Sequence, residues 1–358
     1  MKKIAKVLSI LFVMAFVFGA SVVTAKPKVI KLSVSTMWGP NMGFMKLVVP
    51  EWKRIVKEKT NGQVELVIYG GQTLTKAKEA YQGVVNNISD IAVVGFPLTP
   101  GAFPIAESFC IPGIQYNSAY ISSKVFEEGL KIFKPAELDD TEVLWTTTTG
   151  PGEIITKKGS AVTSFASIQG MELAANAGTK EKALNLIGAA ASFIPTPEWL
   201  EYLKNDIVKG GIISGECLDG FNHREYSGDN VTVVPYLYLS NFGVVMNKAR
   251  FNSLSPEIQE ALKIMPSNAP GLWDHLNKIG YEKNEKAHQG NVNYILMPEE
   301  EHAKFKAAVH PMIEERIQYL NKLGYDGKFI MDTIQSLAKK YNADNPVAPY
   351  LTDLLNKQ

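Results

Sequence analysis

Strand and helix patterns alternate between residues 30 and 95, and this order is compatible with few folds. Two segments have the alternating apolar spacing of strands, and a continuous apolar run is typical of a buried parallel strand. The strands are expected at 30–35, 64–68 and 91–94, and helices between them at 44–59 and 76–85. Pro50 should kink the first helix or mark its true start. The β-α-β-α-β order predicts an α/β domain.

A second unit of the same kind begins after Trp145. Strands are expected at 154–156 and 171–173, and helices from Thr179 to Leu186 and from Thr196 onward. The segment 236–246 is strand-like again and is expected to return to the first sheet. Later helices are expected from Ser255 and, as one long amphipathic helix, from Pro298 to Gly324. The fold prediction is therefore an α/β protein of two lobes with interleaved chain segments.

Residues 1–25 have the pattern of a bacterial secretory signal. Three lysines precede an apolar run at 7–18, and the small residues at 23–25 suit a signal peptidase that cuts after Ala25. A membrane anchor is the alternative, but the run is shorter than the roughly 20 residues of a bilayer span. We expect export to the periplasm.

Composition excludes several classes of function. The 358 residues are 46% hydrophobic and 20% charged, as in ordinary globular proteins of about two domains. Without the three leader lysines, 34 basic residues face 36 acidic ones, a net charge of −2, which argues against a nucleic-acid partner. Cys110 and Cys217 both lie in apolar context, where buried thiols are more common than a disulfide.

Motifs of catalysis and metal binding are missing from the sequence. It contains no G-x-S-x-G elbow, no H-E-x-x-H helix and no Walker loop. Four histidines lie in polar helical stretches and are expected at the surface, namely His275, His288, His302 and His310. His223 lies in a loop rich in polar and aromatic groups, where a binding role is favoured over catalysis. We predict no catalytic residue, no metal site and no cofactor.

Six short fragments occur in a characteristic order along the chain. They are Gly70 to Val85, Ser89 to Ala92, Thr99 to Pro104, Gly150 to Glu153, Ser167 to Met171 and Val245 to Lys248. Together they resemble the extracytoplasmic solute-binding proteins of TRAP transporters, the DctP-type family. The resemblance covers nearly the whole chain after residue 25.

The resemblance implies two α/β lobes joined by crossing segments and a long helix, with a ligand cleft between the lobes. The lobes are expected at 26–148 plus 236–275 and at 149–235 plus 276–358. Cleft closure around a small organic solute would be a hinge motion, and the closed form would be recognised by the membrane subunits of a TRAP transporter. We expect a monomer that is not an enzyme.

The chain departs from the family where the ligand carboxylate is usually bound by arginine. The family arginine of the second lobe corresponds to Ala174, and a second one corresponds to Ala102. Arg54, Arg250 and Arg316 are expected at the surface, which leaves Arg224 as the arginine in a plausible cleft segment. The hypothesis is that the ligand is neutral, or is an acid bound without the usual bidentate arginine.

Candidate cleft residues come from loops after strands and from the family resemblance. They are Trp38, Asn41, Phe96, Gly150, Gly152, Glu153, Asn176, Trp199, Glu216, Phe221, Arg224 and Phe242. Trp38 is expected to stack on the ligand, whereas core packing is an equally good interpretation for Trp199 and Phe242. The alternatives for function are a receptor of an ABC importer or of a sensor system, and a secreted enzyme.

Overall fold

The computed structural model describes residues 29–342 and 349–355. The predicted leader, residues 1–25, lies outside the described residues. Within the described ranges, no helix has the length and apolar character needed to cross a bilayer.

Strands and helices alternate along most of the described chain. The strands are β1 Ile30–Ser35, β2 Val64–Tyr69, β3 Ile91–Gly95, β4 Thr141–Thr148, β5 Glu153–Thr156, β6 Glu172–Ala175, β7 Ala190–Phe193, β8 Gly210–Ile213, β9 Asn230–Thr232, β10 Asn241–Asn247 and β11 Asn293–Ile295. The α-helices are α1 Val49–Lys59, α2 Ala80–Val85, α3 Pro104–Ser108, α4 Ala119–Phe133, α5 Gly178–Leu186, α6 Trp199–Lys204, α7 Glu216–Gly220, α8 Lys248–Asn252, α9 Pro256–Lys263, α10 Ala269–Ala287, α11 Glu299–Val309, α12 Pro311–Lys322, α13 Gly327–Asn342 and α14 Pro349–Leu355.

Two mixed sheets organise these elements. The first has the order β2-β1-β3-β10-β4, in which β1 pairs in parallel with β2 and β3 while β10 runs antiparallel to β3 and β4. The second has the order β11-β9-β5-β8-β6-β7. We call each sheet with the helices packed on it the first and the second lobe. The predicted two-lobed α/β fold and the return of the chain to the first sheet are confirmed.

The chain passes between the lobes through three connections. Residues 149–152 join β4 to β5 and residues 233–240 join β9 to β10; we call these the crossing segments. Helix α10 is the crossing helix, because it packs on α4 of the first lobe and on α7 of the second.

Several predicted elements have different bounds in the structure. The long helix expected from Pro298 to Gly324 is broken into α11 and α12, because Pro311 has no N–H to donate to the preceding turn. Thr179 lies inside the first turn of α5, whose N-cap is Ala177, so it is not the cap. Helical structure spans the predicted 44–59, since a π-helical segment at Phe44–Val48 leads directly into α1, and Pro50 lies in the first turn of that α-helix. Of the strand-like segment 236–246, residues 236–240 are a connection and the strand begins at Asn241.

The apolar core is continuous across both lobes. One cluster of buried side chains includes Val94 of the first sheet, Ile212 of the second, and residues of the C-terminal helices. Helix α12 packs on α3, and α13 packs on α4, so these two helices cover the first lobe. A second cluster, rich in tryptophan, fills the other face of the first sheet, and a third fills the far face of the second. The two lobes are therefore in contact in this structure.

Candidate ligand-binding site

The two crossing segments lie against each other between the lobes. The Thr149 backbone N–H donates to Ser240 O over 2.9 Å, and the Ser240 N–H donates to Thr149 Oγ1 over 3.2 Å. Gly150 has φ +80°, and a Cβ there would lie 2.9 Å from Ala119 N. A Cβ on Gly152 would lie 2.7 Å from the Tyr238 ring. The glycine-lined turn predicted from the sequence is thus a site of close backbone approach.

Lys180 is buried where helix α5 meets the second crossing segment. Its side chain is 2% exposed, and Nζ donates to Asn176 Oδ1 over 3.0 Å and to Ser240 Oγ over 2.9 Å. Nζ also lies 3.6 Å from the centre of the Tyr238 ring. Burial lowers the pKa of the amine to about 7. Among the described residues, no carboxylate forms an ion pair with it.

The thiols around Lys180 do not supply the missing negative charge. Cys110 of the first lobe and Cys217 of the second lie near enough to affect the amine if they were ionised, and both cysteines are free and buried. Burial raises the pKa of Cys110 to about 12 and that of Cys217 well above its usual value, so both thiols are neutral. The amine therefore has only neutral neighbours, drawn from both lobes.

Asn176, which the sequence predicted, lies beside this amine. Its Oδ1 accepts from Lys180, and its Nδ2 donates to Thr196 Oγ1 over 2.9 Å. Asn176 follows the carboxyl end of β6, where α/β sheets place ligand groups. The second lobe thus presents an amide and an amine at one strand end.

Glu216 brings a second buried ionisable group to the interface. Burial raises its pKa to about 7, and its backbone N–H donates to Asn277 Oδ1 of the crossing helix over 3.1 Å. A Cβ added to Gly220 would lie 3.6 Å from Glu216 Oε2 and 3.3 Å from Sδ of Met42, a residue of the loop after β1. The start of α7 therefore faces the first lobe.

Aromatic rings line the first-lobe side of the interface between the lobes. The Trp38 ring lies 4.4 Å from Phe44, 4.8 Å from Phe242 and 5.4 Å from Trp273, measured between ring centres. Phe221 is half-buried and packs against both this cluster and the core of the second lobe. Phe221 also stacks on His223, whose pKa burial lowers to about 4. Trp38, Phe221 and Phe242 thus belong to one aromatic wall where the lobes meet.

Other predicted residues have different surroundings. Phe96 is fully buried in the core against Phe103 and Phe126. Trp199 is buried too, and its Nε1 donates to Ile194 O over 2.7 Å. Asn41 is exposed. These contacts account for Phe96 and Trp199 without a ligand, so the core-packing interpretation fits Trp199.

Arg224 already has a partner for its charge. Its guanidinium donates to Asp219, and the same carboxylate accepts from Lys283 of the crossing helix. Asp219 has a lowered pKa despite partial burial, because these two cations hydrogen-bond to it. The arginine singled out from the sequence is therefore held by Asp219, a carboxylate that it shares with Lys283.

Glu153 is buried at the start of β5 against the crossing helix. Its side chain is 1% exposed, and Oε2 accepts a hydrogen bond from the Tyr281 hydroxyl. Burial raises the pKa of Glu153 to about 8. One end of the crossing helix carries Asp274, whose carboxylate accepts from Ala119 N over 2.7 Å and Tyr120 N over 2.9 Å. The crossing helix is thus hydrogen-bonded to α4 at one end and to β5 at the other.

Two side chains expected at the surface are buried. His302 Nδ1 lies 2.8 Å from the Tyr236 hydroxyl. The Arg316 side chain is 10% exposed and donates to Ser108 Oγ over 2.9 Å and to Pro104 O over 2.8 Å. It also faces Glu107, whose pKa is raised by burial although Arg316 opposes that shift. Arg316 therefore attaches α12 to α3.

Replacing Arg316 by methionine should lower the free energy of unfolding by about 3 kcal/mol, because the buried Glu107 would lose its counter-charge. Urea denaturation measures the change. Arg54→Met is the control, since Arg54 pairs with Glu51 and Glu58 on the exposed face of α1 and should change stability little. Equal losses in the two variants would contradict the structural role of Arg316.

A separate cavity of about 570 Å³ opens beside the edge strand β4 and helix α4. Its charged lining residue Glu142 pairs with Lys248 at 3.1 Å and with Lys263 at 2.5 Å. Glu142 thus faces two lysines, and the cavity lies away from the crossing segments. Within residues 29–342 and 349–355, no cluster of three or more histidine, cysteine or acidic residues could hold a metal ion.

Lys180 is the residue that the sequence analysis missed. It follows a buried strand by five positions and opens a helix, which is the location where α/β sheets bind ligands. A lysine at this position is a sequence signal for an anion-binding group, which a hypothesis based on arginine alone does not use.

Three solved structures share the fold. A marine metagenome TRAP solute binding protein from an unidentified microbe, specific for aromatic acid ligands and bound to metahydroxyphenylacetate, is 24% identical, with 87% of this chain and 99% of that chain covered and a TM-score of 0.78. One from Rhodoferax ferrireducens with copurified benzoate is 20% identical, with 88% and 99% covered and a TM-score of 0.77. One from Bordetella bronchiseptica with bound (R)- and (S)-mandelate is 18% identical, with 87% and 99% covered and a TM-score of 0.74.

The family comparison covers most of the chain, including both sheets apart from the start of β1. The profile of the DctP family, described as bacterial extracellular solute-binding protein, family 7, matches residues 34–319. This range contains the crossing segments, the crossing helix and the buried amine between the lobes. The chain therefore belongs to the DctP family of bacterial extracellular solute-binding proteins.

Proposed function

We propose that this protein is the periplasmic receptor of a TRAP transporter, which captures a small organic acid between its lobes and delivers it to the membrane subunits. The observation that carries the proposal is that one family match includes both sheets together with all three connections. A receptor that closes on its ligand needs two lobes and flexible connections between them in the same chain. The leader at 1–25 would direct export.

The proposed lobes are 26–148 plus 236–275 and 149–235 plus 276–358. Closure would bring the aromatic wall of Trp38, Phe242 and Phe221 over the end of β6. Helices α12 and α13 belong by chain order to the second lobe but pack on helices of the first, so they would connect the lobes behind the hinge.

The ligand class follows from two observations that agree. Structures with this fold have been solved with aromatic acids, benzoate and mandelate, and others with galactonate or D-glucuronate. In this chain the interface holds a buried amine without a carboxylate partner among the described residues. Of the two hypotheses left by the missing arginines, an acid bound in another way is therefore favoured over a neutral ligand.

A thermal-shift screen should show stabilisation by an acid and none by its neutral analogue. The panel contains benzoate, 3-hydroxybenzoate, mandelate, galactonate and glucuronate, each paired with the corresponding alcohol or sugar. An acid at 100 times its dissociation constant should stabilise the folded state by about 2.7 kcal/mol. Stabilisation by neutral compounds alone would contradict the acid assignment.

The same samples distinguish a receptor from the alternative functions. Mass spectrometry of the recovered ligand should find it chemically unchanged, whereas turnover would identify a secreted enzyme. Uptake of the acid by vesicles that contain TRAP membrane subunits should require this protein. Uptake through an ABC importer instead would overturn the TRAP assignment and leave the binding function intact.

A further inference from the structure

Lys180 lies at the point where groups of both lobes converge. The amine is held from the second lobe by Asn176 and from a crossing segment by Ser240 and the Tyr238 ring. Cys110, a neutral neighbour of the amine, belongs to the first lobe. The amine therefore has neighbours in its own lobe, in a crossing segment and in the first lobe.

The hydrogen bonds of the amine leave one donor unused. A lysine ammonium has three N–H donors. Two are directed at Asn176 Oδ1 and Ser240 Oγ, and among the described residues no further oxygen accepts the third. A buried charge is costly unless an opposite charge or several hydrogen bonds compensate it. An incoming carboxylate would supply both the acceptor and the charge.

We propose that Lys180 Nζ binds the carboxylate of the ligand in the closed protein, in place of the arginine that Ala174 replaces, with Asn176 and Ser240 orienting the amine. This assignment rests on the proposed function, in which the ligand is an organic acid.

Lysine differs from arginine in a way that can be measured. The pKa of the free amine is about 7, and a bound carboxylate raises it, so binding above pH 7 takes up a proton. The affinity should then fall by up to about tenfold for each pH unit above 7. An arginine remains charged over this range and would give no such dependence.

The titration of other groups near the amine must be distinguished from the titration of the amine itself. Cys110, Cys217 and Tyr238 have raised pKa values and stay neutral below pH 9. Glu216 at the start of α7 has a pKa of about 7 and titrates in the same range. The pH series is therefore measured in a Glu216→Gln background as well as in the wild type.

The test compares Lys180→Met and Lys180→Arg with the wild type by calorimetric titration of the acids in the panel. Lys180→Met should lose about 100-fold in affinity for the acid, since a desolvated charge pair is removed. Lys182→Met is the matched control, because Lys182 lies on the same helix, is exposed and pairs with Glu315, and its affinity should be unchanged. Thermal melting of each ligand-free variant verifies that it is folded.

The pH series provides a readout that a merely structural lysine would not affect. At pH 8.5, titration in buffers of different ionisation enthalpy should show uptake of about one proton per ligand by the wild type and none by Lys180→Arg. Unchanged acid binding by Lys180→Met would overturn the assignment and leave the receptor function standing. If no acid binds the wild type, both proposals fail.

Discussion

Replacing Gly280 by valine should lower the free energy of unfolding by about 3 kcal/mol or more. Gly280 lies on the face of the crossing helix that touches α7, and a Cβ there would be 2.2 Å from Gly215 O. Because Gly215 O is a backbone atom, no side-chain movement could relieve this overlap. Helix α10 would therefore have to move away from α7. The same shift would displace Asn277, which accepts the Glu216 N–H, and should therefore weaken ligand binding as well.

The same helix offers a control of opposite sign. A Cβ on Gly271 would meet no atom within 4 Å, so Gly271→Ala should stabilise the protein by about 0.5 kcal/mol through helix propensity. Urea denaturation of the three proteins measures both effects. Similar stability of Gly280→Val and the wild type would show that the α10–α7 contact is looser than the structure indicates.

Replacing Glu153 by glutamine should stabilise the protein at high pH and leave it nearly unchanged at pH 4. The folded-state pKa of Glu153 is about 8, whereas its ordinary value is 4.5. Between these values the folded protein keeps a proton that the unfolded chain has released. Stability due to this group is thus fully present below pH 4.5 and is lost as the pH rises through 8. At pH 9 the variant should be more stable by roughly 4 kcal/mol.

Denaturation of the wild type and Glu153→Gln at intervals from pH 4 to pH 9 tests this expectation. Glu216 and Asp274 also have raised pKa values, but they titrate in both proteins, so the difference curve isolates Glu153. Tyr281→Phe is the companion variant, since it removes the hydroxyl that donates to Glu153 and should make the loss at high pH larger. A stability difference that does not vary with pH would contradict the raised pKa.

Strands β1, β2 and β3 of the first sheet could be predicted because their apolar pattern is local, whereas β4 was not predicted. Segments 30–35 and 91–94 carry continuous or alternating apolar residues that any packing would bury. The crossing helix was not predicted from its own residues. Its buried face is apolar at Leu272, Trp273 and Leu276 but continues with Asn277, Gly280 and Asn284, which interrupt the apolar stripe. Strand β8 begins with Gly210 and Gly211, which are poor strand formers, and was missed for that reason.

The candidate ligand site could be predicted only in part. Asn176 and Glu216 came from the family resemblance, and the structure places both at the interface between the lobes. Lys180 was missed because lysine is exposed in most proteins. Its burial depends on Tyr238 and Ser240, which are distant in sequence and are brought to it by a crossing segment. Arg316 and His302 were misplaced for the same reason, since their partners also lie far along the chain.

The position of β10 within the first sheet sets an order for folding. This strand lies between β3 and β4, although it is synthesised long after both. Until residues 241–247 are available, β3 and β4 have no partner on their facing edges and the first sheet remains in two pieces. Pairings between strands so far apart in sequence form slowly, because a long loop must close first. The first sheet of this protein can therefore be completed only after five of the six strands of the second sheet have been made.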